Sequence, residues 1–177
     1  MTIDVITIFP EMFNSVFEAG ILGRTQASGL LKVNVHNLRD YTQNKYRSVD
    51  DYPYGGGAGM IMKPEPIFNA VEALKIGQNS KIILLTPQGE TLTQHKVESL
   101  SLESHLILIC GRYKGVDERV RENLITDEIS IGDYVLSGGE IPAMVLIDAI
   151  GRVIPGALSD YESAQYDSFA DELLDCP

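Results

Sequence analysis

Cysteine is nearly absent: two residues, Cys110 and Cys176, occur in 177, too few for a disulfide framework and without metal-site spacing. The three histidines, His36, His95 and His105, likewise show no ligand spacing and no paired cysteine, so no metal centre is expected. No Gly-Lys dipeptide occurs and no complete G-x-G-x-x-G follows the first apolar run, which argues against a P-loop or a Rossmann fingerprint. A G-x-S-x-G elbow and a Cys/His signature are missing too, leaving no support for a hydrolase. No apolar run is long enough to span a membrane, and the opening "MTIDVITIFPEMF" lacks the basic region of a signal peptide. The expectation is therefore a soluble cytoplasmic protein with reduced thiols and no membrane partner. Internal repeats and low-complexity segments are lacking as well.

Basic residues are outnumbered, giving a net charge of −11, which on its face counts against a nucleic-acid partner. The excess is local: residues 159–177, "SDYESAQYDSFADELLDCP", contain six acids and no Lys or Arg. Arg39, Lys45, Arg47 and Lys63 flank one glycine-rich loop, and Arg112, Lys114, Arg119 and Arg121 crowd another segment. A basic surface remains available despite the total.

The apolar pattern predicts alternating strands and helices. "TIDVITIF" reads as a buried strand, ended by Pro10, and "PEMFNSVFEAG" as a helix with Met12, Phe13, Val16 and Phe17 on one face, capped by Gly20. Strands follow in "KVNVHNL", "KIILLTP", "HLILICG" and the segment through Tyr134. Helices are read in "PEPIFNAVEAL", "TQHKVESLSLE" and "GVDERVRENLI". Strands without period-two polarity, alternating with helices, predict an α/β domain: a mainly parallel sheet covered on both faces. The segment "EIPAMVLIDAIGRVI" is apolar nearly all round, so it belongs in the core or in a subunit interface.

Three predicted strand ends open into loops, "LLTPQGE", "LICGRYKGVDER" and "SIGDYVLSGGE", and in parallel sheets ligands gather outside the carboxyl ends of strands. The pair Gly138–Gly139 before a helix would suit a phosphate, but Glu140 in the first turn would repel one. A fourth segment, "RSVDDYPYGGGAGMIMKP", sets Tyr52 and Tyr54 beside Arg47 and Lys63 among four glycines. Stacking faces next to cations suit single-stranded nucleic acid, and a plain surface loop would look the same.

Taken in order, "FPEMF", "GRTQASGLL", "VDDYPYGGGAGM", "LTPQG", "CGRYKGVDERV", "SIGDYVLSGGEIPAMVLIDAIGRVIPG" and "DSFADELLDCP" resemble the bacterial tRNA (guanine-N1)-methyltransferases of the SPOUT superfamily. The resemblance covers the chain end to end. It implies a C-terminal trefoil knot, a topology that periodicity alone never reveals. It also implies methyl transfer from S-adenosylmethionine to N1 of the tRNA guanosine immediately 3′ of the anticodon, by a homodimer with active sites between subunits. On that resemblance, Thr86, Pro87, Gln88, Gly111, Ile131, Gly132, Tyr134, Leu136, Gly138, Gly139 and Pro142 hold the cofactor. The glycine-rich loop around Tyr54 and Gly59 receives the guanine, with Lys114 nearby. Asp167 is the base with Ser168 beside it, and Arg152 stabilises charge on the guanine oxygen.

The same resemblance divides the chain into a knotted cofactor-binding domain, 1–160, and an acidic catalytic tail leading to an interdomain linker, 161–177. The tRNA-gripping C-terminal domain of the family is not part of this sequence. Lys114 stands where the family has glutamate, which bears on the family's magnesium (Mg2+) requirement, and Ala58 where proline is common. Rival readings are a catalytically weak cofactor- or RNA-binding module and a SPOUT methyltransferase with another RNA target. Read from the residues alone, Arg152 has a simpler role, an ion pair with Asp148 one turn earlier, and Asp167 could be a solvated charge.

Overall fold

The computed structural model describes residues 1–53, 55–75 and 79–157. Five parallel strands form one sheet in the order β2-β1-β6-β5-β7. They are β1 (Thr2–Thr7), β2 (Lys32–Asn37), β5 (Lys81–Thr91), β6 (His105–Cys110) and β7 (Asp127–Ser130). A short antiparallel pair, β3 (Asp50–Asp51) and β4 (Ile61–Met62), stands apart. The continuous apolar runs are explained by two cores on the two faces of the sheet. Ile3, Val5, Ile83, Leu85, Leu106 and Leu108 point to one, and Ile6, Ile82, Leu84, Ile107 and Ile109 to the other, as strand alternation requires.

Helices α1 (Gly20–Ala27), α3 (Gln94–Ser101) and α5 (Glu140–Val153) cover the first face, and α2 (Pro64–Leu74) and α4 (Glu118–Asn123) the second. Thr93 and Asp117 cap α3 and α4 with side-chain oxygens that accept from Lys96 N and Arg119 N. Helix α5 buries Ala143, Leu146, Ile147 and Ile150 but leaves Ile141 and Val145 48% and 42% exposed.

Three expectations need correction. The helix read in "PEMFNSVFEAG" is one 3-10 turn, Pro10–Phe13, and Gly20 opens α1 instead of closing a helix. The amide of Gln26 donates to Phe17 O at 2.8 Å, so a side chain takes a carbonyl that a continuous helix would have used. Strand β5 does not stop at Pro87: residues 86–89 bulge out and Glu90–Thr91 pair again with β7. Strand β7 ends at Ser130, short of Tyr134, because Gly132 turns away at φ +146° with its N–H donating to Ser130 Oγ. Residues 131–138 then travel from β7 past β5 to the end of β6, where Gly138 bridges Arg112.

Candidate active site

At the carboxyl ends of β5, β6 and β7 lies a cavity of about 490 Å³. All eleven residues expected to hold the cofactor line it, and so does Lys114. The walls are the bulge at 86–88, the loop 111–116 after β6 and the crossing segment 131–139, three stretches far apart in sequence. Leu84, Leu85, Val116 and Ile129 contribute apolar lining, and Gln88, Arg112, Lys114, Glu118 and Arg121 are among the polar lining residues. Size and lining suit a nucleoside-sized ligand without phosphates.

Loop 111–116 is tied to the glycine-rich segment. Lys114 N–H donates to Met60 O, Met62 N–H to Gly115 O and Asp117 N–H to Met62 O, at 3.0, 3.0 and 3.1 Å. Gly59 lies under the side chain of Lys114. Ile61 is shared with a second cavity of about 660 Å³, whose wall includes Tyr41, Tyr52, Lys63, Asp117 and Arg119. Hydrogen bonds from Arg119, acting against a smaller desolvation cost, hold the Asp117 carboxyl below its usual range. The two neighbouring cavities thus meet at Ile61 of β4, beside the loop that carries Val116 and Asp117.

Beneath the first cavity sits a buried ion pair that no sequence motif announces. Glu140 is fully buried; its Oε1 accepts from Thr7 Oγ1 at 2.8 Å and its Oε2 from Arg112 Nε at 3.0 Å. The Arg112 guanidinium also lies over the Phe9 ring, 4.5 Å from its centroid. A Cβ at Gly138 would fall 2.2 Å from Arg112 Nε and 2.5 Å from Glu140 Oε2, and one at Gly139 would fall 2.8 Å from Cys110 Cα. The glycine pair is therefore required by the protein's own packing: the crossing segment presses on β6 and on the ion pair. Its backbone lines the cavity, but the missing side chains make room for Arg112, Glu140 and Cys110. The Cys110 thiol, fully buried, is pushed well above its ordinary pKa by burial and then by the Glu140 charge, with Arg112 opposing, so it is not a nucleophile here.

Other expected residues lie elsewhere. Arg152 is exposed in the last turn of α5 and does not line the cavity. Ten residues separate it from Pro142 at the cavity wall, about 15 Å of helix. Tyr54, Asp167 and Ser168 fall outside the described residues. Among the described residues no group of three His, Cys, Asp or Glu side chains could hold a metal ion, and no helix is long and apolar enough to cross a membrane.

Residues 1–177 match the family model described as tRNA (Guanine-1)-methyltransferase TrmD. A tRNA (guanine-N(1)-)-methyltransferase of Dictyoglomus turgidum is 57% identical over 177 residues, covering 100% of this chain and 71% of that protein. Relatives of the same name from Oceanobacillus iheyensis and Staphylococcus aureus are 54% and 53% identical, covering 73% and 72% of those proteins. The crystal structure of tRNA (m1G37) methyltransferase from Aquifex aeolicus superposes with a TM-score of 0.84 at 40% identity, covering 96% of this chain and 75% of that one.

Proposed function

The chain belongs to the tRNA (guanine-1)-methyltransferase family, and from that premise we propose that it transfers a methyl group from S-adenosylmethionine to N1 of a tRNA guanosine, the one immediately 3′ of the anticodon (position 37). The observation that carries the reading is the convergence of three strand-end loops on one cavity without a phosphate cradle. Bound there, S-adenosylmethionine supplies a methyl activated by a sulfonium centre. Loops 86–88, 111–116 and 131–139 hold the adenosine and amino-acid ends through backbone groups, and Glu140, already paired with Arg112, keeps those loops in place. Holding the acceptor nitrogen in line with the methyl contributes much of the acceleration.

Guanine N1 carries a proton at neutral pH, so a base must remove it as the bond forms. Asp167 takes that role with Ser168 beside it, and Arg152 stabilises the negative charge growing on the guanine oxygen. The separation of Arg152 from its own cavity along α5 favours a homodimer in which each subunit completes the other's site. The apolar residues left exposed on the same helix, Ile141 and Val145, fit that arrangement. On this reading the target base leaves its stack and is received by Tyr54 and Gly59, and the second cavity, which meets the first at Ile61, takes neighbouring RNA. Such a protein works in the cytoplasm with tRNA as partner.

The test is calorimetric titration with S-adenosylmethionine against ATP, followed by methyl transfer to transcripts with and without guanosine at position 37, each with and without a magnesium chelator. Binding of the methyl donor alone and G37-dependent transfer are the expected results. Preference for ATP, or transfer indifferent to position 37, would overturn the assignment. Asp167→Asn is expected to lower transfer by about 10²- to 10⁴-fold while leaving donor affinity unchanged.

A further inference from the structure

Most of the charge around the first cavity is closed into ion pairs. Arg112 faces Glu140 at 3.0 Å, and Arg121 is shared between Glu128 and Glu118 at 2.9 and 3.1 Å. Lys114 is the lining cation with no ion pair among the described residues, and it is exposed on the rim. Its position is nevertheless constrained. The backbone on either side is bonded to Met60 and Met62, and its methylene stem lies against Gly59, where an added Cβ would come within 2.9 Å of Lys114 Cε. The residue is therefore anchored at the cavity wall through its backbone, with its stem against Gly59.

We propose that Lys114 sets the balance between the methyl donor and its demethylated product, lowering affinity for the sulfonium form relative to the thioether. The inference rests on reading the cavity as an S-adenosylmethionine site. Donor and product share the adenosine and amino-acid ends, and they differ by one methyl and one positive charge on sulfur. Contacts to the shared parts cancel in the ratio of the two affinities, whereas a fixed charge in the wall does not. Lys114 adds to the wall one positive charge unpaired among the described residues, which disfavours the sulfonium cation relative to the neutral thioether. Unit charges about 10 Å apart in a partly exposed cleft change such a ratio by about two- to tenfold, less at high salt.

The experiment is calorimetric titration of the full 177-residue chain with S-adenosylmethionine and with S-adenosylhomocysteine, in wild type, Lys114→Arg, Lys114→Gln and Lys114→Glu, at low and high salt. The ratio is expected to move toward the donor by about two- to tenfold in Lys114→Gln and further in Lys114→Glu. Lys114→Arg should keep the wild-type ratio, and high salt should shrink the differences. A variant that merely loosens the loop would weaken both ligands equally and leave the ratio alone; that result overturns the proposal while the cofactor site stands. If neither ligand binds wild type, the reading of the cavity fails and the proposal falls with it.

Discussion

Three carboxylates are buried among the described residues, Asp4, Asp117 and Glu140, and each is tolerated because donors surround it. Glu140 is met by Thr7 and Arg112. Asp4 accepts from Asn34 at 2.9 Å, His36 at 2.7 Å and His105 at 2.6 Å. An ionised Asp4 only accepts, so both imidazoles donate from Nε2, and in the neutral rings Nδ1 accepts from Tyr41 and Ser80 hydroxyls. Removing one partner of a buried ion pair leaves the other charge uncompensated. Glu140→Ala should accordingly cost about 3–5 kcal/mol in urea unfolding, with Glu140→Gln milder because it still bonds Thr7. For Asp4, burial raises the pKa, but bonds from His36, His105 and Asn34 outweigh it and bring the value from 3.8 to about 2. A folded value below the unfolded one means stability that is complete above about pH 4 and lost as pH falls toward 2. That window should contain about 2 kcal/mol of acid sensitivity, and Asp4→Asn should flatten the urea midpoint across it while lowering stability at pH 7.

At the scale of elements, periodicity reads the ends of packed segments well and the ends of functional ones poorly. Helix α2 runs Pro64–Leu74, the span of its apolar pattern, and β6 runs through the predicted "HLILIC". Strands β5 and β7 differ from their periodicity at the carboxyl ends, because β5 bulges after Leu85 and pairs again with Ile129 and Ser130, while Gly132 turns the chain away after Ser130. The over-apolar helix α5 was legible as a problem and only partly resolved by the fold: one face is buried, while Ile141 and Val145, one turn apart, remain exposed. If that stripe joins two subunits as proposed, Val145→Arg should yield monomers in light scattering after size-exclusion chromatography. Its unfolding free energy measured well below the wild-type dissociation range should change by less than about 0.5 kcal/mol, since the side chain serves no intrachain core. A wild-type dimer unaffected by Val145→Arg would exclude this face.

At the scale of the whole molecule, the sheet is a rigid base and the cavity a ring of loops on one end of it. Ligand that binds only the folded chain stabilises it by mass action, about 2.7 kcal/mol at 100 times its dissociation constant. S-adenosylmethionine should raise the urea midpoint accordingly and slow amide exchange in 86–89, 111–116 and 131–139, and also in the core amides of β1 and β6 that exchange only through global unfolding; ATP should do neither. The sequence by itself determined the class of the fold, because short β-branched apolar runs alternating with helical patterns read as strands buried on both faces. It also determined the family, because long motifs survive in order along the chain. Tertiary structure alone decided why Gly138 and Gly139 must be glycines and which partner Glu140 finds. It decided as well that Lys114 has its stem against Gly59, 55 positions away in the chain. Those contacts join segments tens of residues apart, and no local preference encodes a pairing whose two halves meet only when one stretch of chain crosses another.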